Sequence, residues 1–168
     1  MQDYWNGSKT FSAKMRKIKE TPLSGIILRK YEKPFRLEGR ELVKKLCLSL
    51  GLLQPGDTRD VIVDIFYVLV KAKQPVESKE IEERAAFFRK ENNLTGLGIT
   101  PANVRRQLRR LKELMLIEKK GKYYSLTEGE SLKNIFEEKI RKFYIEPISE
   151  RVGEYCSYVD KLREEWLT

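Results

Sequence analysis

The stretch that most constrains the fold runs from residue 100 to residue 127. It opens with Thr100 and Pro101, a helix start signal, because threonine caps helix N-termini and proline is accommodated at the first helical position. Apolar residues then recur at spacings of four, three and four, which places these residues on one helix face: Val104, Leu108, Leu111 and Met115. The sequence therefore predicts a helix over about 101–114 that rests on a core.

The polar side of this helix is rich in side chains that recognise nucleic acids. The face predicted to lie opposite the apolar one contains Asn103, Arg106, Gln107 and Arg110. The flanks contain Arg105, Arg109 and Lys112. Arginine matches guanine in the major groove of DNA, and asparagine or glutamine matches adenine. The pattern favours a helix that is held by a core and faces a nucleic acid.

A β-hairpin is predicted directly after this helix. Its first strand begins at Leu116 and Ile117, and its second strand covers residues 123–126. The basic tip consists of Lys119, Lys120, Gly121 and Lys122, where glycine suits a tight turn. Tyr123 and Tyr124 alternate along the second strand, so one is expected to be exposed and the other to pack on the core.

The segment VRRQLRRLKELMLIEK followed by GKYYSLT resembles the recognition helix and wing of a winged helix-turn-helix domain, the type found in many bacterial and archaeal transcription regulators. The resemblance covers about residues 58–127, under half of the chain. It implies a recognition helix in the major groove and a wing on the backbone or minor groove. The implied base-reading residues are Asn103, Arg106, Gln107 and Arg110. The implied phosphate-binding residues are Arg105, Arg109, Lys112, Lys119, Lys120 and Lys122.

The net charge of +9 is unevenly distributed along the chain. Residues 1–60 have a net charge of +6, and residues 101–127 contain eight basic and only two acidic residues. Residues 61–100 are neutral overall, and residues 128–168 are net acidic at −3. This concentration of positive charge is typical of a phosphate-binding surface.

Three domains or segments are predicted. Residues 1–37 form a basic N-terminal arm or irregular extension, in which residues 23–28 are candidates for a short strand. Either this arm follows DNA, or it is a solvated leader that packs on the domain. Residues 38–130 form the winged-helix domain with a preceding helix over 38–53, and residues 131–168 form C-terminal helices. The expected fold is mainly α with a small β-wing.

Within that domain, a helix capped by Asp57 or Thr58 is expected to run to about Lys73, and Ser78 is expected to cap the next one. The link over residues 92–99 is longer than the 3–4 residues of a compact helix-turn-helix. Its glycines either approach phosphate or simply cap the preceding helix and form the loop. The long link also leaves open a winged helix that binds protein.

The C-terminal helices, which start at Ser131 and are interrupted or restarted at Pro147, are expected to mediate dimerisation. A heptad seam recurs there at spacings of four and three: Ile148, Val152, Tyr155, Val159, Leu162 and Trp166. The alternative is a terminal helix that packs on its own domain. A two-fold dimer reading two half-sites fits the first interpretation.

Composition argues against most catalytic chemistry. The chain has no histidine, and its two cysteines, Cys47 and Cys156, are expected to be buried thiols rather than a disulfide. Asp57, Asp60 and Asp64 are the candidates for a metal nuclease, but the first two are ordinary charges at a helix N-terminus. No phosphate-binding loop or dinucleotide motif is present, so no enzyme, metal or cofactor is expected.

The sequence thus favours a sequence-specific protein that binds double-stranded DNA, a homodimeric transcription regulator. Because no apolar run is long enough to span a membrane and no signal peptide is evident, we expect a cytoplasmic, nucleoid-associated protein without a membrane partner. One alternative is a winged-helix protein-interaction subunit of transcription, replication or chromatin machinery. Another is binding of RNA or single strands, which exposure of Phe11, Tyr123 and Tyr124 would favour.

Overall fold

Helices and one small antiparallel sheet make up the computed structural model, which describes residues 18–96 and 98–167. The mainly α class with a small β element is confirmed. The first part contains α1 (Gly39–Ser49), α2 (Val61–Lys71), β1 (Val76–Glu77), α3 (Ser78–Glu91), α4 (Pro101–Glu113), β2 (Ile117–Lys120) and β3 (Tyr123–Leu126). A 3-10 turn (Thr127–Gly129), α5 (Leu132–Ile135), a π-helix (Phe136–Ile145) and α6 (Glu146–Leu167) follow.

Strand β3 lies at the centre of the sheet, between β1 and β2. The predicted hairpin is confirmed: β2 and β3 pair antiparallel, with Ile117 opposite Leu126 and Lys120 opposite Tyr123. Gly121 in the turn has a φ of +61°, a conformation that glycine adopts without strain. Strand β1 joins the other edge of β3 through Val76 and Glu77 and thereby anchors the hairpin to the start of α3.

Helix α2 is the centre of the core and contacts α1, α3, α4 and β3. Its apolar stripe is confirmed, because Ile62, Ile65, Phe66 and Leu69 are almost fully buried. The helix begins later than predicted, with Asp60 at the N-cap position in place of Asp57 or Thr58. The apolar face of α4 packs on this helix through Val104, Leu108 and Leu111, all buried as expected.

Three helices end in the same hydrogen-bonded cap, with one residue in the left-handed region. These residues are Gly51 after α1, Asn93 after α3 and Met115 after α4. At the end of α4, the Leu116 N–H donates to the Leu111 carbonyl at 3.1 Å and the Met115 N–H donates to the Lys112 carbonyl at 2.9 Å. Met115 therefore leaves the helix instead of extending its apolar stripe.

These caps correct two expectations about helix ends. Asn93, and not the loop glycines, terminates α3, because the Leu94 N–H donates to the Arg89 carbonyl at 2.9 Å. Ser78 is the first residue of α3, and the N-cap position belongs to Glu77. Thr100 and Ser131 do act as caps, since their hydroxyls accept hydrogen bonds from the Asn103 and Asn134 N–H groups.

The short strand expected at residues 23–28 is wrong, because residues 18–38 contain no strand. The segment instead docks on the end of α1, where the Arg29 N–H donates to the Ser49 carbonyl at 2.9 Å. The Arg29 guanidinium adds bonds to the Leu48 and Leu53 carbonyls at 3.0 and 3.3 Å. Two of these contacts satisfy the Leu48 and Ser49 carbonyls at the end of α1, so Arg29 bonds to a helix end and not to a strand. The remainder of the predicted basic arm, including Phe11, lies outside the described residues.

The C-terminal part is helical from α5 through the π-helix into α6, and Pro147 lies in the first turn of α6. The Tyr144 hydroxyl donates to the Glu113 carbonyl at the end of α4. Helix α6 has no buried residue in the described part of the chain. None of the helices in residues 18–96 and 98–167 has both the length and the apolar character needed to cross a membrane.

Candidate nucleic-acid interface

The outward face of α4 is a stripe of positive charge. Arg105, Arg109 and Lys112 recur at spacings of four and three and are exposed, as is Arg106 beside them. Within residues 18–96 and 98–167, no acidic side chain pairs with Arg105, Arg109 or Lys112. These side chains are therefore available to a polyanion without first breaking an ion pair.

Three of the four predicted base-reading residues do not face outward. Gln107 is only 6% exposed, and Asn103 and Arg110 are half-buried, so Arg106 alone of the four is exposed. The expected orientation of Gln107 is wrong because it stands three residues after Val104 and four before Leu111, which places it beside the apolar stripe.

The inward polar residues form a continuous chain of hydrogen bonds along α4. The Gln107 amide Nε2 donates to Asn103 Oδ1 at 2.8 Å, and Arg110 Nη1 donates to Gln107 Oε1 at 2.8 Å. Arg106 Nη2 also donates to Asn103 Oδ1, at 2.9 Å. Each bond spans about one helical turn, so the chain reinforces the helix itself.

Both ends of this chain attach α4 to other parts of the fold. At the start of the helix, Asn103 Nδ2 donates to the Gly98 carbonyl at 2.6 Å. At the other end, Arg110 Nη2 donates to the Leu52 carbonyl at 2.6 Å. Gly98 has a φ of +93° and lies against Val61, so the loop before α4 is itself held against α2. The polar chain thus positions the helix that presents the basic stripe.

The hairpin tip adds three exposed lysines: Lys119, Lys120 and Lys122. Lys120 pairs with Glu118 and Lys122 pairs with Glu77, both at 2.7 Å. The hydrogen bond to Glu77 raises the pKa of Lys122 above its ordinary value. Both lysines are exposed, so these pairs are weak enough to be exchanged for phosphate contacts.

The two tyrosines of the hairpin differ in exposure, as expected from strand alternation. Tyr123 is exposed and Tyr124 is half-buried. Each ring lies beneath a lysine ammonium, with Lys122 5.3 Å from the Tyr123 ring centroid and Lys119 5.6 Å from the Tyr124 ring centroid. The rings thereby stiffen the basic tip.

A cleft of about 610 Å³ lies between α4 and the loop before α2. Arg59, Arg106 and Arg110 line it, together with Asp57. Sequence reasoning missed Arg59, although its place just before a helix that packs on α4 was a usable signal. This exposed arginine extends the positive surface from α4 towards the start of α2.

A buried ion-pair cluster lies behind this surface and joins α1, α2 and α3. Arg40 Nη2 binds Asp60 at 2.8 Å, and Arg40 Nε binds Asp64 at 2.7 Å. Arg89 Nη1 binds Asp60 at 3.1 Å and also pairs with Asp64. Arg89 Nε donates to the Thr95 carbonyl at 2.6 Å, so the cluster also holds the loop that leads to α4.

The electrostatics of this cluster indicate a structural role, in which its carboxylates pair with arginine side chains. Burial alone would raise the pKa of Asp60, but hydrogen bonds from Arg40 and Arg89, with their charges, keep that pKa below its ordinary value. Asp60 and Asp64 therefore act as partners of guanidinium groups, and Asp57 accepts a hydrogen bond from the Arg59 N–H. Among the described residues, no group of three or more aspartate, glutamate or cysteine side chains is placed to hold a metal ion.

Both cysteines are free thiols in different environments. Cys47 is completely buried in the core, and this burial raises the pKa of its thiol to about 12. Cys156 is exposed on α6, so the expectation that it is buried is wrong. Helix α6 has no buried residue in the described part of the chain, so the core does not cover Cys156.

Comparison of the chain with protein-family models, with curated protein sequences and with solved structures found no match.

Proposed function

We propose that this chain is a sequence-specific protein of the winged helix-turn-helix type that binds double-stranded DNA and regulates transcription. The observation that carries the proposal is the stripe of exposed, unpaired basic side chains on α4. A helix with Arg105, Arg109 and Lys112 on its outer face fits the negatively charged walls of a DNA groove.

The order of elements supports the winged-helix part of this proposal. Helix α2, strand β1, helices α3 and α4, and the β2–β3 hairpin follow one another as in that family, with β1 pairing to β3. In this interpretation α4 is the recognition helix and the hairpin is the wing. The nine-residue connection between α3 and α4 is unusually long, but Asn93, Arg89 and Gly98 hold it against the core.

The roles of individual residues differ from those expected from the sequence. Arg106 is the base-reading candidate, because it is exposed and lies near the start of α4. The phosphate-binding candidates are Arg59, Arg105, Arg109, Lys112, Lys119, Lys120 and Lys122. Asn103, Gln107 and Arg110 instead hold α4 in position through their hydrogen bonds.

We further propose that the protein acts as a homodimer through α6. Five of the six seam side chains of this helix are exposed, with Tyr155 at 68% and Trp166 at 73% of their maximal accessible surface, and Ile148 is half-buried. An isolated helix with such a seam is unfavourable in water, because apolar surface gains stability only when it is buried. A two-fold dimer would present two copies of α4 to two half-sites.

The test is a salt titration of binding to random duplex, random single strands and a pool of genomic fragments. The expected result is duplex binding with a steep negative slope of log K against log salt and enrichment of a few fragments. The double variant Arg105→Ala/Arg109→Ala should lower the magnitude of that slope by about 2, because two phosphate contacts are lost.

The matched control is Arg141→Ala, which removes an exposed arginine that pairs with Glu137 on the π-helix, away from α4. Its binding should equal that of the parent protein. Absence of duplex binding at physiological salt would contradict the proposal and favour a protein-interaction subunit. Tighter binding to single strands than to duplex would favour a role for the exposed Tyr123 in stacking on bases.

A further inference from the structure

The geometry of α6 points to an antiparallel helix pair between two copies of this chain, with the two-fold axis at residue 157. This inference rests on the homodimer part of the proposed function and adds its orientation and register. Helix α6 runs for 22 residues, and its main contacts among the described elements are with the π-helix that precedes it. Five of the six seam side chains, all except the half-buried Ile148, are exposed in the described part of the chain, and a second copy offers the same seam.

The sizes of the seam side chains favour the antiparallel arrangement. Ile148, Tyr155 and Leu162 occupy the d positions of the heptad, and Val152, Val159 and Trp166 occupy the a positions. Antiparallel pairing about residue 157 places each a residue opposite a d residue of the other copy. Trp166 then packs on the partner's Ile148, Tyr155 on the partner's Val159, and Leu162 on the partner's Val152, so every layer combines a larger with a smaller side chain.

A parallel, in-register pair would instead place identical residues opposite one another. Trp166 would meet the partner's Trp166, and Tyr155 would meet the partner's Tyr155. Two indole rings or two phenol rings overfill a single layer, while Val152 against the partner's Val152 leaves another layer underfilled. Packing therefore discriminates between the two orientations.

The charges beside the seam favour the same orientation. In the antiparallel register Arg151 lies next to the partner's Glu165, and the two-fold axis generates this ion pair twice. In the parallel register Arg151 faces the partner's Cys156, and Tyr158 faces the partner's Arg163, so neither position forms an ion pair. Arg151 already binds Glu154 within its own helix at 3.0 Å and has further guanidinium donors for a second carboxylate.

The orientation determines where the two DNA-binding parts lie. Helix α6 begins at Glu146, eleven residues from the proposed axis. At about 1.5 Å per residue, the two starting points are roughly 33 Å apart along the pair. Half-sites one helical turn apart are separated by about 34–36 Å, so this spacing suits two domains reading adjacent turns of one duplex face.

The experiment uses cysteine cross-linking in the full chain. Cys47 is inaccessible, so replacing the exposed cysteine by Cys156→Ser leaves no reactive native thiol. Two variants in that background, Ser149→Cys and Arg163→Cys, place single thiols on exposed α6 positions. In the antiparallel register residue 149 lies beside the partner's residue 163, whereas the two copies of residue 149 are about 24 Å apart.

The two copies of residue 163 are only about 18 Å apart, so a bismaleimide much shorter than 18 Å should cross-link the mixture of the two variants and neither variant alone. A third variant, Asp160→Cys in the same background, reports random collisions because residue 160 lies outside the seam. Cross-linking of Ser149→Cys with itself would overturn the antiparallel orientation and leave dimerisation standing. A monomer at all concentrations in sedimentation experiments would overturn dimerisation as well. Duplex binding is measured in a separate experiment, so its outcome is distinguishable from that of dimerisation.

Discussion

Arg110 donates a hydrogen bond of 2.6 Å from its guanidinium to the carbonyl of Leu52, which lies 58 residues earlier in the chain. The bond connects the last turn of α4 to the loop that follows α1. The preceding residue in the chain, Arg109, points outward and pairs with no acidic residue of the described chain. The two consecutive arginines therefore differ in their contacts, and we expect their replacement to have different effects on stability.

Arg110→Ala should destabilise the fold by about 1–3 kcal/mol, because the Leu52 carbonyl and the Gln107 amide oxygen lose their donor. Arg109→Ala should change the free energy of unfolding by less than about 0.5 kcal/mol, since it removes an exposed side chain. Urea unfolding measures both. For DNA binding, Arg109→Ala should lower the salt slope by about 1. Equal losses of stability in the two variants would contradict the assignment.

Arg106 and Lys120 should affect binding in different ways. Arg106→Ala should cost about 1–3 kcal/mol on the preferred duplex and relax the base preference at one position. Lys120→Ala should weaken binding to all duplexes by the same factor, because the exposed lysine of the hairpin is expected to contact only phosphate. Competition between the preferred and a random duplex separates the two effects. A uniform loss for Arg106→Ala would show that this residue reads no base.

Gly51 should be less replaceable than Gly121, although both have a positive φ. Gly121→Ala should lower the free energy of unfolding by about 1–2 kcal/mol, because alanine is disfavoured in the left-handed region. No further cost is expected, since no described atom lies within 4 Å of the new methyl group. Gly51→Ala should cost more, because its Cβ would lie 2.7 Å from the Cβ of Ile27. Thermal or urea unfolding of the two variants gives the comparison, and equal costs would refute close packing of residues 26–29 on α1.

Acid should weaken the fold through Asp60. Because the pKa of Asp60 is lowered in the folded protein, its contribution to stability is fully present above the ordinary aspartate pKa of about 3.9 and is lost as the pH falls through the lowered value. Asp60→Asn should reduce stability at neutral pH and flatten the decline below about pH 4. Urea unfolding between pH 2 and pH 7 measures this. Asp160→Asn, an exposed change on α6, should follow the parent curve.

Local signals in the sequence predicted α4 and its hairpin well. Thr100 and Pro101 mark the helix start through their own backbone chemistry, and the apolar spacing of Val104, Leu108 and Leu111 repeats with the helical period. Gly121 marks the turn for the same local reason. Each of these features depends on residues close together in the chain, so a sequence pattern is sufficient.

The function of the polar residues on α4 could not be predicted in the same way. The inward bonds of Asn103 and Arg110 depend on carbonyl groups of Gly98 and Leu52, whose positions follow from packing of separate segments. Periodicity places Gln107 near the edge of the apolar stripe but does not show what covers that edge. The Arg40–Asp64 pair likewise joins charges 24 residues apart, without any repeat in the sequence.

The hydrogen bond from the Tyr144 hydroxyl to the Glu113 carbonyl joins the last turn of α4 to the π-helix that continues into α6. A second copy that binds α6 would therefore act on a segment that is attached to α4 by this hydrogen bond and to the core by Ile135 and Ile140. If the proposed dimer forms through α6, we expect its geometry to affect the orientation of α4 through this junction.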